Sequence, residues 1–458
     1  MRLIARFCIE NSDNFEIVTV YDKTIERTVT DKQNPSVTTI SDRYPTAVWF
    51  ERKMHDDFGI SIEGAFDTRP LNRHERFPDV HPLRKSFHES DLRPVPFHPY
   101  PYEAIKGESV FEVAVGPIHA GIIEPGHFQF SQSGEGMLHL EVRHFYKYRG
   151  IERMLEGKSL KKSSKIIGRI NGNESVAYQI ARIKIMLEAS GRPYPIELQK
   201  YHTLLLETER IIHHLTDLGF IPNDAGFGAA LAYSSRLAEE SRRFLQKLCG
   251  HRFGFDAVGW ETPAYRQDEI RTFTEKLQKE IDWFEVWITD IPSLWDRFDK
   301  TGILTRAKAK KYGCVGVVAR ASGLQTDSRQ EPFYQNHGFR IATEKSGDVA
   351  ARFKVRIEEI KTSLKLIEAF TGDGTPFTME QPSKSDYRDG DYMSFAESSI
   401  GELFMFMRLK KGKIERFFVR DPSFINWQAL HLMMPGNIIA DFPLINKSCD
   451  LSYAGNDL

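Results

Sequence analysis

The chain has 458 residues, with 62 Lys+Arg against 63 Asp+Glu and a formal charge of −1. That balance excludes a general nucleic-acid binder, which needs a basic surplus to displace counterions from phosphates. At 41% hydrophobic and 12% aromatic residues, disorder is excluded for most of the chain and two or more domains are expected.

The first residues, MRLIARFCIENSDNFE, reach Glu10 and Asp13 before the apolar core of a secretory signal can form, so a cytoplasmic chain is expected. Phe15–Tyr21 alternates apolar and polar residues as a strand does, and Ala47–Phe58 has apolar positions at helical spacing until Gly59 stops it. The segment from Leu92 to Tyr102 is Pro-rich and reads as an extended linker. Short strands are expected over 110–115, 127–130 and 137–142. From Ser175 onward the pattern is mostly helical. One stripe, Leu198, Tyr201, Leu205, Ile212 and Leu215, marks a long helix after Pro195 that Gly219 is expected to end. Further periodic segments cover 223–250, 264–289 and 347–370. The uncharged stretch 422–440 carries Asn426, Gln428, His431, Pro435 and Gly436, which a membrane span of about 20 apolar residues excludes. Cys8, Cys249, Cys314 and Cys449 stand too far apart for a CxxC pair, so neither zinc nor an iron–sulfur cluster has ligands here. No GxGxxG fingerprint follows a strand, so pyridine-nucleotide chemistry belongs elsewhere.

Several motifs in order carry a resemblance. Tyr44–Ile60 with His81-Pro-Leu-Arg-Lys85 resembles the signature of the 30-kDa-type subunit of respiratory complex I. His127-Phe128, Leu140–Glu152, Glu207–Gly219, Gly250-His-Arg-Phe253 and Ala319-Arg-Ala-Ser-Gly323 resemble the 49-kDa-type subunit and the large subunit of group 4 nickel–iron hydrogenases of the formate hydrogenlyase type. The resemblance implies an α+β fold: a small α+β domain over 1–90, the Pro-rich linker over 91–108, and over 109–458 a mainly helical hydrogenase large-subunit domain with peripheral strands. It also implies an iron–sulfur small subunit and antiporter-like membrane subunits as partners, and a peripheral place on the cytoplasmic side of the inner membrane.

Family hydrogenases hold nickel and iron with two CxxC pairs, because soft thiolates suit that centre. In the matching stretches Asn171 and Glu174, then Ser452 and Gly455, stand where those cysteines would be, and Ile400 stands at the position of the arginine that overhangs the metals. No nickel–iron centre is therefore expected, and no cofactor bound by this chain beyond a quinone. Glu124 matches the family's proton-transfer glutamate, and His119 lies in the hairpin that approaches a quinone headgroup in the complex I lineage. The tyrosine that assists there is replaced by Gly172, leaving Tyr178 and Tyr453 as substitute phenols.

Plainer readings stand beside these. Glu174 suits the first turn of a helix by the macrodipole alone; Asn171 and Ser452 suit backbone capping; His213 and His214 suit an interhelix network with Glu207, Glu209 and Asp217. Lys158, Lys161, Lys162 and Lys165 suit a solvated basic face. A third set, Glu174, Asp450, Asn171 and Ser452, offers oxygen ligands for magnesium or manganese. Two functions follow: an electron-transfer subunit serving a quinone or another acceptor, and a non-catalytic scaffold coupling an ion-translocating membrane module.

Overall fold

Three antiparallel strands, Leu3–Glu10, Asn14–Tyr21 and Ile25–Asp31, open the chain, and helix Ala47–Phe58 packs across the first of them. The computed structural model describes residues 1–103, 105–119 and 123–458. Ala104 of the Pro-rich segment and residues 120–122 of the expected quinone hairpin lie outside the described residues. Gly59 closes the helix with a left-handed backbone, its N–H returning to His55 O.

This sheet is not free-standing. Phe7 stacks on Phe418 at 4.4 Å between ring centres, and Arg416 Nε donates to Cys8 O at 2.9 Å. Beneath the helix, buried Lys53 pairs with Asp57 at 2.6 Å and Glu152 at 3.1 Å, while Arg416 pairs with Glu152 at 2.6 Å. The Pro-rich segment has little regular structure but is held in place. Arg52 donates to Tyr100 Oη at 2.8 Å, Arg69 to Pro101 O at 3.0 Å, and the Glu103 N–H to Glu141 at 2.7 Å.

A second antiparallel sheet, Val110–Val115, His127–Ser133 and Gly136–Arg143, precedes the helices. The bundle is built on the long, almost wholly buried helix Ile196–Asp224, which packs against Gly228–Cys249 and Val349–Phe370. The helix does not end at Gly219, as the sequence suggests. A Cβ at Gly219 would lie 3.1 Å from Leu231 Cα and 3.2 Å from Ser234 Cβ, so this glycine permits a close helix crossing.

Against helix Ser175–Ser190 lies a third sheet that the sequence reading did not anticipate: Gly390–Glu397, Glu402–Lys410 and Lys413–Arg420. Leu403 to Met407 are all buried, as in a strand covered on both faces, and such a run lacks the alternation that marks a strand. The whole is α+β. Among the described residues no helix is long and apolar enough to cross a membrane.

Candidate functional site

Gly116 begins the hairpin turn with φ +85°, and a Cβ there would lie 2.8 Å from the His119 ring as well as on Gly126 O. Glycine is required because the two arms approach so closely. His119 Nε2 donates to Gly126 O at 2.9 Å, which fixes its ring over this turn. Glu124 remains 36% exposed, ion-pairs with Lys147, and accepts the N–H of Ala454 at 2.8 Å. The hairpin and the last helix, Tyr453–Asp457, therefore meet at Glu124.

Two cysteine-matching positions, Ser452 and Gly455, belong to that helix, and the other two, Asn171 and Glu174, precede helix Ser175–Ser190. Ser452 is the N-cap of the last helix, accepting the Gly455 N–H at 2.9 Å. Asn171 accepts the Asn173 N–H through Oδ1 at 3.1 Å and donates from Nδ2 to Glu174 Oε2 at 2.9 Å. Glu174 is 0% exposed, and its other oxygen accepts the Ile400 N–H at 3.1 Å. Glu174 precedes helix Ser175–Ser190 without capping it. The helix N-terminus belongs to Glu209, which accepts the N–H groups of Val176 and Ala177 at 2.7 and 3.2 Å. The macrodipole reading of Glu174 is thus corrected: its carboxyl turns toward the 398–401 turn instead.

The space between these positions is occupied by Asp421. Its Oδ2 accepts the Tyr178 hydroxyl at 2.6 Å, and its Oδ1 accepts the Ser423 N–H at 2.8 Å. A Cβ at Gly455 would lie within 2.5 Å of the Asp421 carboxyl carbon. Burial, and after it the charge of Asp421, pushes the Glu174 carboxyl well above its usual range, and burial raises Asp421 as well.

Tyr178 is 0% exposed, and burial followed by Asp421 raises its phenol well above the usual value. Tyr453 packs at the hairpin base against Gly126, His144 and Trp427, and burial pushes it up to about 12. Gly172 is exposed, and a Cβ there would meet nothing within 4 Å.

His144 sits among Trp49, Phe128, Trp427 and Tyr453 with neither ring nitrogen bonded, and burial pushes it down to about 3. A base whose folded pKa lies below its unfolded value of 6.5 contributes stability above 6.5 that is lost as pH falls toward 3. His144→Phe is expected to remove that loss and to raise stability near pH 7 by about 1–3 kcal/mol, because an unpaired buried polar group disappears. Urea titrations at several pH values check this; an unchanged acid slope would contradict it.

The oxygen-ligand set does not converge. Asp450 pairs with Lys447 at 3.2 Å, whereas Glu174 and Asn171 bond each other and Ser452 caps its own helix. Among the described residues no three His, Cys, Asp or Glu side chains are grouped to hold a metal. Buried Cys449 has Met433 Sδ at 3.7 Å from its sulfur. His214 does join an interhelix network, donating to Glu359 at 2.8 Å. Glu207, Arg210, Arg320, Asp327, Arg329 and Glu397 extend it, and Arg210 donates to the carbonyls of Glu397 and Ser398 at 2.7 and 2.6 Å. The network thereby braces the turn that offers Ile400 N–H to Glu174.

The sequence profile of the respiratory-chain NADH dehydrogenase 49 Kd subunit matches residues 224–384 and 375–457, and that of its 30 Kd subunit matches residues 3–92. The chain belongs to this family, as a fusion of both parts. Hydrogenase-4 component G of Escherichia coli (strain K12) is 30% identical over 445 residues, spanning 93% of this chain and 76% of the relative. Formate hydrogenlyase subunit 5 of the same organism is 29% identical over 94% of this chain and 78% of its own. The fused C/D-type NADH-quinone oxidoreductase protein of Bacteroides thetaiotaomicron is 24% identical over 93% and 86%.

In this fused 30-kDa/49-kDa-type subunit, Asp421 is missing from the sequence reading, and Glu209, expected in the network with His213 and His214, instead takes the N–H groups of Val176 and Ala177. Asp421 was legible only as Asp-Pro before a short helix, where it does cap Ser423. Glu209 lay inside a recognised motif, yet which helix end it serves depends on the crossing of two helices distant in sequence. Burial pushes its carboxyl up to about 8.

Proposed function

We propose that this chain is the large subunit of a membrane-associated, complex I-like oxidoreductase complex. It takes electrons from an iron–sulfur cluster in a small subunit and passes them to a quinone or another acceptor, without nickel–iron hydrogen chemistry. Its place is peripheral, on the cytoplasmic side of the membrane, beside antiporter-like subunits. Support comes from the family and from the names of its relatives, which include both NADH-quinone oxidoreductases and hydrogenases.

The observation that carries the reading is the meeting of the hairpin with the last helix at Glu124, a partly exposed carboxylate, in the same hairpin in which His119 bonds the Gly126 carbonyl. Reducing a quinone to a quinol consumes two electrons and two protons. Glu124 and His119 deliver the protons, by direct hydrogen bond or through one water. The cysteine-matching positions do not fit a nickel–iron centre: they carry no thiol, and Asp421 fills the space a side chain at 455 would need.

In the purified complex, Glu124→Gln together with His119→Ala is expected to lower cluster-linked quinone reduction by about 10²–10⁴-fold, the range of general acid–base effects. Absence of any cluster-linked quinone reduction by the unsubstituted complex would overturn the quinone reading, and stoichiometric nickel would overturn the metal-free one.

One observation favours the scaffold as a second reading: the former metal region is filled by Tyr178, Asp421 and Glu174, all fully buried. Ion transport unchanged by Glu124→Ala and Glu174→Ala would support the scaffold over the redox subunit.

A further inference from the structure

Lys161, Lys162 and Lys165 stand on the exposed side of helix Leu160–Ile167, opposite buried Leu160, Ser163 and Ile167, and Lys158 lies just ahead of them, partly buried. The fold brings two distant segments to the same place. Ser159 bridges Lys413 as antiparallel backbone, with the Gly157 N–H on Ile414 O at 2.8 Å and the Ile414 N–H on Lys158 O at 2.9 Å. The turn that carries exposed Lys411 and Lys413 therefore lies alongside. Exposed Lys384 rests against that turn: a Cβ at Gly412 would meet Lys384 O at 2.7 Å as well as its side chain.

Among the described residues the ion-paired lysines are others, and none of these has a carboxylate partner. The acids beside them are engaged. Glu415 takes Lys410 at 3.4 Å and Lys85 at 3.9 Å, which adds two cations to the face, and Asp389 accepts the Lys411 N–H at 2.6 Å. The whole chain carries a formal charge of −1, so the cluster is a local excess.

Fold stability does not account for this placement. Lys161 and Lys162 occupy the first turn of their helix, which holds no acidic residue, although the macrodipole favours anions there. Lys161 and Lys165, at i,i+4, also repel each other. The face is equally unlike a protein-binding one. Interface cores are depleted in lysine and anchored by aromatic and arginine side chains, and residues 158–165 and 410–413 include neither. Hydrated ammonium groups on flexible stems suit a diffuse anionic layer, because each adds attraction without needing a fixed geometry.

We propose that the lysines of 158–165, 384 and 411–413 form a docking surface for the anionic headgroups of the membrane beside which the complex sits. The proposal rests on the peripheral placement given above and adds a contact that this chain makes itself.

Co-sedimentation of the full chain with vesicles tests it. Binding is expected to vesicles of phosphatidylcholine and phosphatidylglycerol in equal parts and not to phosphatidylcholine alone, and it should weaken as salt screens the charges. A lysine at such a surface is worth about fivefold in partition, so Lys161→Gln, Lys162→Gln and Lys165→Gln together should lower it about 100-fold. All three side chains are exposed, so the variant keeps its fold. A charge-matched control, Lys247→Gln with Lys276→Gln and Lys279→Gln on two other helices, should change binding little. Equal loss in both triple variants, or no binding to the anionic vesicles, would overturn the proposal. So would protection of Lys161, Lys162 and Lys165 from acetylation in the assembled complex before membranes are added, which would give the face to a partner subunit. Vesicle binding needs no electron acceptor: its absence with quinone reduction intact removes only the docking surface, and the reverse removes only the quinone reading.

Discussion

Arg320→Met is expected to destabilise the protein by about 3–5 kcal/mol, the cost of leaving a buried charge uncompensated. Arg320 is 0% exposed and meets three carboxylates: Glu359 at 2.7 Å, Glu397 at 2.7 Å and Asp327 at 3.1 Å. Burial opposes ionisation of Glu359, but Arg320 and His214 together hold its carboxyl well below the usual range. Removing the guanidinium removes the main offset to that burial. Arg329 is engaged with Asp327 and Glu207, and Arg210 bonds Glu207 and reaches Glu359 only at 3.9 Å, so neither replaces the 2.7 Å contact of Arg320. A secondary loss should follow at the 397–401 turn, which Glu397 and Arg210 hold in position. The denaturant midpoint of the variant checks this. A loss below about 1 kcal/mol, the worth of an exposed ion pair, would show that the network is hydrated.

Restoring a thiol at the last cysteine-matching position should also destabilise. Gly455→Cys is expected to cost about 1–3 kcal/mol, as overpacking of a buried site does, because its Cβ would overlap the Asp421 carboxylate. The backbone at Gly455 is helical, so the cost is contact and not strain. Asp421→Gly removes the obstructing carboxylate and should recover most of it in the double variant. A double-mutant cycle isolates this coupling, since residues in contact are not additive. Additive effects of the two substitutions would mean that Asp421 does not occupy that space.

Much of the helical framework was legible because burial imposes the 3.6-residue period on the sequence: helices at 47–58, 196–224, 267–289 and 349–370 lie where their apolar stripes lie. Gly219 misled because one residue type serves both to stop helices and to let them cross, and only the partner helix distinguishes the two. The 390–420 sheet was hidden by the continuous apolar run Leu403–Met407, although Lys411-Gly412 marks its second turn. At the site, the motifs placed Glu124, Glu174 and Ser452 on the page but not their partners. Glu124 and Ala454 are 330 residues apart, and nothing local in either announces the contact. Asp421 was missed for the same reason: its importance lies in the space beside Gly455, which belongs to no single stretch of sequence.

The buried set Lys53, Asp57, Glu152 and Arg416 has a consequence for how the two fused parts come together. Lys53 pairs with Asp57 on one side of the Pro-rich segment and Arg416 with Glu152 on the other, and the Lys53–Glu152 pair at 3.1 Å forms only when the two sides are joined. As separate polypeptides, each side would expose its half of this buried set to water and would have to find the other by diffusion to form the crossing pair, at a rate set by expression level. A covalent strap turns that search into an intramolecular one at a high effective concentration. Docking then becomes a step in the folding of one molecule, and the stoichiometry of the two parts is fixed at synthesis.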